Sequence, residues 1–241
     1  MRHRAVWLVA AAITLVLSPL ALARPAGASK ASKDQGSSQP PDLSGVWFVR
    51  GKVRANFVFQ DSSPLLPWGV DRLKANQQKL SPLLRCFPPG VPRVWTMPNP
   101  FEIISLPGRV LIYYEFEHLV RQIHTDGREH PKDLIPTWMG DSIGRWEGDT
   151  LVVDTTGFNG QSWLDTTGRP LSDALHVVER IRRVSHEGLQ VDITIDDPKA
   201  YAKPWTAQRV FDLKPEWEIS EQICEENNIY LTPPDNTKVE K

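Results

Sequence analysis

Apolar and polar residues alternate along most of the chain from Phe101 to Cys224, and turn residues break the alternation at Pro107-Gly108, Asp126-Gly127, Gly148-Asp149, Glu187-Gly188 and Lys214-Pro215. A period of two sends successive side chains to opposite faces of a strand. The pattern predicts strands over 43–50, 55–59, 101–105, 109–115, 120–125, 141–146, 150–156, 176–184, 190–195, 208–213 and 217–224. One short helix is predicted over 68–80, with Val70, Leu73, Gln77 and Leu80 on its inner face. Short strands at close spacing specify an all-β chain: a single antiparallel meander curled into a barrel, with one short N-terminal helix. Segments 126–140 and 157–175, rich in Trp, Pro, Gly and Asp, are expected to fold over an open end.

Turn chemistry sets a register for each hairpin, and register decides which face a residue occupies. A two-residue Gly148-Asp149 turn opposes Trp146 to Leu151 and Gly144 to Val153 on a core face. Its outer face sets Ile143 opposite Asp154, with Arg145 on the diagonal. A three-residue His186-Glu187-Gly188 loop pairs Ile181 with Ile193 and Glu179 with Ile195. A turn through Lys214-Pro215-Glu216 pairs Arg209 with Glu221 inside a stripe of Phe211, Leu213, Trp217 and Ile219. A tight Glu117-His118 turn sets Arg121 opposite Tyr114 and His124 opposite Leu111.

Arg121, Glu179, Arg209 and Glu221 therefore point toward the apolar side. An unpaired charge there costs several kcal/mol, so these groups must pair, neutralise, or meet a ligand or water. Two readings stand. One is a set of buried ion pairs that fixes the barrel's geometry. The other is the polar floor of a ligand cavity, shared with Tyr114, whose mouth is framed by Trp138 and Trp163, with Trp205 beside them. Asp154 reads either as a solvent-facing partner of Arg145 or as a catalytic carboxylate. His124 is either a structural histidine or a supporting catalytic group.

Composition narrows the class. The chain has 241 residues and a net charge of −1. Residues 1–28 combine a basic start (Arg2, His3, Arg4), an apolar stretch and small residues that offer cleavage after Ala23 or after Ala28, the pattern of a secretory signal peptide. An uncleaved N-terminal anchor is the alternative. Cleavage after Ala28 removes Arg2, Arg4 and Arg24 and moves the net charge from −1 to −4, which argues against nucleic acid as a partner. Residues 29–41 read as a disordered linker, 42–232 as the barrel domain and 233–241 as a flexible tail. No later stretch is apolar enough to span a membrane. Cys86 and Cys224 are either disulfide-bonded, in an oxidising periplasmic or secreted setting, or two separate buried thiols. His118, His124, His130, His176 and His186 follow no strong metal-site spacing, and no phosphate-binding, dinucleotide or nucleophile-elbow motif occurs, so no metal or cofactor is expected.

Two resemblances add to this. Gly45-Val46-Trp47, at the opening strand, resembles the G-x-W signature of lipocalins and the wider calycin group. That likeness implies a lipocalin-like barrel whose tryptophan closes the floor beneath an arginine from a late strand, a part Arg209 would take. The stretches CFPPGVPR (86–93), RQIHTDGR (121–128), GRWEGDTLVVDTTGFN (144–159), DDPKAYAKPW (196–205) and ICEEN (223–227) are similar to an uncharacterised family of secreted bacterial proteins. This implies secretion and a single domain, and brings no activity with it.

The leading expectation is a secreted or periplasmic barrel that binds a small, largely apolar or aromatic molecule in its interior. Tyr114, Arg121, Glu179, Arg209 and Glu221 would supply the polar contacts. The rival is a cofactor-free acid–base enzyme (an isomerase, cyclase or hydrolase) with Glu179 as base, Arg121 as anion stabiliser, and His124 or Asp154 in support. A structural envelope protein with Trp-rich interaction loops is the third reading.

Overall fold

The computed structural model describes residues 41–52, 57, 63–226 and 228–230. The expected signal segment, most of the linker, the 55–59 strand apart from Phe57, and the 233–241 tail lie outside the described residues. All described residues fall within one compact unit, Gln39–Lys241.

Nine strands close into a barrel in sequence order. They are β1 (Gly45–Val49), β2 (Phe101–Leu106), β3 (Arg109–Tyr114), β4 (Val120–His124), β5 (Asp141–Glu147), β6 (Thr150–Thr156), β7 (His176–Ser185), β8 (Gly188–Asp196) and β9 (Trp205–Leu213). One α-helix, α1 (Pro67–Gln77), follows β1. The expected unbroken antiparallel meander is corrected at one place. β4 and β5 pair in parallel, Ile123 with Ser142 and His124 with Ile143, so segment 125–140 carries the chain from one end of the barrel back to the other. Parallel neighbours require such a crossover.

The seam is formed by β1, which pairs with β2 on one side and with β9 on the other. Trp47 stands level with both Phe101 and Leu213. Gly45 has φ +131°, and a Cβ there would lie 2.6 Å from Leu213 Cδ1, so the seam requires glycine. The Trp47 indole N–H donates to the Leu43 carbonyl at 3.0 Å, and the cation over its ring is Arg183 of β7, 5.0 Å from the centroid. Arg209, expected in that place, instead lies over Phe57.

Two registers differ from expectation by two residues. Glu179 pairs with Ile193, beside a bulge between Arg183 and Ser185, and Arg121 pairs with Ile112. A shift of two returns every side chain to its original face, so inward and outward assignments survive. The Gly148-Asp149 hairpin has the expected register.

Residues 217–224 form no strand, because β1 already occupies the free edge of β9. The segment crosses outside the barrel, with Trp217 on Phe48 at 5.3 Å. Its alternate N–H groups, from Ser220, Gln222 and Cys224, donate to the side chains of Glu115, His118 and Glu117 at the β3–β4 turn. It ends in the Cys86–Cys224 disulfide.

The helix turns a different face inward from the one predicted. Val70, Gln77 and Leu80 are exposed, while Gly69 and Asn76 are buried. Gly69 allows the close approach: a Cβ there would sit 2.5 Å from the Ala200 carbonyl oxygen. Asn76 Nδ2 donates to the Gly168 carbonyl at 2.9 Å. Strand directions place α1 and the loops 157–175 and 197–204 at one end of the barrel, opposite the Pro107-Gly108 and Gly148-Asp149 turns.

Candidate functional site

Four neighbouring strands each send one polar side chain inward: Arg121 from β4, Ser142 from β5, Thr155 from β6 and Glu179 from β7. The pairs Ile123–Ser142, Ser142–Thr155 and Val153–Glu179 set them side by side across the wall. Arg121 Nη1 donates to Glu179 Oε1 at 2.9 Å, and Nη2 binds Glu179 Oε2. Nη2 also donates to Thr155 Oγ1 at 2.9 Å, and Nε to Ser142 Oγ at 3.1 Å. Trp95, from the 3₁₀ turn Arg93–Thr96, donates its indole N–H to Glu179 Oε1.

The Arg121 and Glu179 side chains are 2% and 0% exposed. Burial works against the Arg121 cation, but the adjacent Glu179 carboxylate outweighs it and raises its pKa above the usual arginine range. The phenol of Tyr114 is pushed up chiefly by burial. Its hydroxyl faces the Arg121 guanidinium, whose charge and hydrogen bonding work against that rise. Around this group Trp95 meets Phe101 at 5.2 Å and Phe211 at 5.6 Å, and Phe101 meets Phe211 at 4.9 Å. These rings pack on one another, with Trp95 in contact with Glu179. With both carboxylate oxygens engaged by protein donors, Glu179 acts as the structural counter-ion of Arg121.

The other expected site residues are not gathered here. Arg209 is inward and buried, but Glu221 is exposed on the segment outside β9, which corrects its expected place beside Arg209. His124 pairs with Arg109 rather than Leu111 and lies on the outer face beside Gln122 and Arg128. Asp154 is also on the outer face, yet Arg145 is not its partner. Arg145 and Arg180 both pair with Glu147. Asp154 instead receives His130 Nε2 at 3.0 Å and His176 Nε2 at 2.9 Å, and His130 Nδ1 lies 2.6 Å from Asp141. Partial burial disfavours its ionisation, but the hydrogen bonds from His176 and His130 and their charges outweigh that and hold its pKa below the usual aspartate value. Neither His124 nor Asp154 reaches Glu179, so these residues form no common acid–base site.

Trp138 and Trp163 are brought together, in a cavity of about 390 Å³ between α1 and the loops. The bridge Thr137–Phe158 aligns segment 126–140 with segment 157–175 and so sets the two indoles on one wall. Phe87 stacks on Trp138 at 5.1 Å and 14°, and the Arg85 guanidinium lies 5.3 Å over Phe87. Arg72 and Lys79 of the α1 region and Gln161 complete the polar lining. Trp205, the third loop-side indole, is buried in β9 against Tyr201 instead. The opposite end of the barrel has a larger hollow, about 690 Å³, walled by Ser44, Leu106, Pro107, Thr125 and Trp146, with Asp42 as its charged member.

Sequence reasoning missed Trp95, Ser142, Thr155, Arg72 and Arg85. Ser142 and Thr155 were detectable, because they continue the inward stripes of Gly144-Trp146 and Leu151-Val153. Trp95 lies in an aperiodic turn, and Arg72 and Arg85 gain meaning only from where α1 docks. Comparison with known proteins adds no assignment: no protein-family model and no curated protein matches the chain.

Proposed function

We propose that this protein is an extracytoplasmic, calycin-like barrel that binds a small anionic molecule with a ring-shaped body. The site is the cleft between α1 and the Trp138 and Trp163 loops, rather than the barrel interior. One observation carries this reading: a single concave site unites the Phe87–Trp138 stack and Trp163 with the cations Arg72, Lys79 and Arg85. Ligand sites combine an aromatic or apolar lining with a few convergent polar groups, and the cavity volume lies in their usual range. Inside the barrel, by contrast, the Trp95 indole already occupies the Glu179 carboxylate. The Cys86–Cys224 disulfide supports placement in an oxidising compartment, and among the described residues no helix is long and apolar enough to cross a membrane. The Arg183–Trp47 contact, on a tryptophan that follows Gly45-Val46, supports the calycin-like reading.

Tryptophan fluorescence during titration with benzoate and indole-3-acetate tests the proposal, with benzamide and indole as uncharged controls. The expected result is saturable binding of the carboxylates that is about tenfold weaker for the controls and is lost in Trp138→Ala. Equal binding of charged and uncharged probes would overturn it, as would binding that survives Trp138→Ala with Arg72→Gln.

A further inference from the structure

The cleft does not end at Arg72. A second cavity of about 270 Å³ has Arg72 in its wall as well, with Trp68, Asn159, Gly160, Asp173 and Lys199. The segment 159–163 passes both cavities, giving Asn159 and Gly160 to one and Gln161 and Trp163 to the other. The two cavities therefore adjoin, each with α1 on one side and segment 159–163 on the other. Arg72 stands at their junction.

We infer that the two are lobes of one groove that binds an acidic oligosaccharide of about two or three rings, with a carboxylate at Arg72 and one sugar ring in each lobe. The inference rests on the small-anion reading above and extends it to a ligand class.

Three features favour this ligand. The first is the spread of charge. Arg85 and Lys79 lie in the first lobe, Arg72 at the junction and Lys199 in the second, against the single carboxylate of Asp173. Lys199 holds that carboxylate at 2.9 Å. Cations spaced along a groove match a chain with one carboxylate per unit. A nucleotide concentrates its charge at one end.

The second feature is the form of the aromatic surfaces. Trp138 has Phe87 stacked against it, so it offers a platform rather than a two-sided slot. Trp68, half-buried against the core with Lys199 over its ring at 5.0 Å, carries the aromatic wall into the second cavity. A platform suits the C–H face of a pyranose, whereas a nucleobase gains most when sandwiched. The third is the set of neutral hydrogen-bonding groups. Gln161 and Asn159 line the side opposite α1, with Asn159 Oδ1 engaged by the Gln161 N–H at 3.0 Å. Its amide group is thereby fixed in orientation, as selection among sugar hydroxyls requires.

Calorimetry on the full chain with trigalacturonate, galacturonate, maltotriose and ADP tests the inference. Trigalacturonate is expected to bind at one site per chain, about tenfold or more tighter than galacturonate, with maltotriose weaker still. Lys199→Gln should reduce the affinity for trigalacturonate several-fold, and Arg72→Gln should reduce it further. Both residues are on the surface, and circular dichroism verifies that each variant is folded. If galacturonate binds as tightly as the trimer, the second lobe plays no part; the two-lobe inference falls while the single-lobe site stands. Equal affinity for maltotriose would remove the acidic character, and tighter binding of ADP would replace sugar with nucleotide. Failure of all four probes would overturn the inference, and the carboxylate titrations with benzoate and indole-3-acetate would then judge the single-lobe site by itself.

Discussion

The indole of Trp95 donates to the same carboxylate, Glu179, that Arg121 grips from the barrel wall. A side chain from an irregular turn thus completes the coordination of an ion pair supplied by two strands. The barrel's interior and the chain between α1 and β2 consequently depend on one another.

Removing one member of the pair leaves the other buried without compensation, which costs about 3–5 kcal/mol. Glu179→Leu and Arg121→Met should each lower stability by that order in urea denaturation. The double variant should recover most of the loss, since two apolar side chains need no counter-ion. A double variant as unstable as the sum of the singles would contradict this account.

Trp95→Ala should cost about 3–5 kcal/mol, as for other large aromatic deletions from a core. It should also open a void beside Glu179 that the wild-type protein lacks. Uptake of a small apolar dye by the variant alone, read by fluorescence, would show that Trp95 is what excludes ligands from the interior.

The inward position of Glu179 was legible although its partner was misjudged. Its expected neighbour was Ile195 and its actual one is Ile193. A two-residue His186-Glu187 turn in place of the expected three-residue loop supplies one residue of the difference and the bulge after Arg183 the other, and a shift of two preserves the face. Arg121 follows the same logic. Glu221 failed for another reason: alternation shows that a segment is extended but not that a strand edge is free to receive it. Closure of β9 on β1 is a long-range event that local pattern does not encode, and the N–H groups of Ser220, Gln222 and Cys224 found side-chain acceptors instead. The proposed cleft was half visible. Its indoles stood out as rare residues in long loops, whereas its cations were indistinguishable from ordinary surface charge until α1 was docked through Gly69.

Asp154 makes part of the fold's stability sensitive to acid. Its pKa is depressed in the folded protein from the ordinary 3.8 by His176 and His130. A depressed carboxyl stabilises the fold fully above its unfolded value and loses that contribution as pH falls through the folded value. Asp154→Asn should therefore be less stable than wild type near neutral pH, and the gap should narrow below about pH 4. Melting temperatures measured from pH 2 to 7 would reveal it. A constant gap across that range would exclude the mechanism.

Replacing both cysteines by serine should cost roughly 2–5 kcal/mol, the usual value for a disulfide closing a long loop. Phe87 follows Cys86 directly and stacks on Trp138, so the same variant should also bind cleft ligands more weakly. Thermal melts with and without reductant, paired with the fluorescence titration, measure both effects.

Gly69→Ala sets helix propensity against space. Alanine favours helix by up to about 1 kcal/mol, but its methyl would press on the Ala200 carbonyl at 2.5 Å. Overpacking of this kind costs about 1–3 kcal/mol, so a net loss of stability in denaturant titration is expected, together with a displaced Arg72 and weaker binding in the groove.

The bond between Cys86 and Cys224 spans 138 positions and encloses β2 through β9, leaving β1, α1, the 3₁₀ turn Pro82–Arg85 and the residues after Cys224 outside the covalent ring. If the molecule were stretched between Pro41 and Tyr230, tension would pass through sulfur and bypass eight of the nine staves. β1, the docked helix and the short C-terminal segment would peel away, and the extension released would match the stretches from Pro41 to Cys86 and from Cys224 to Tyr230 rather than the whole barrel.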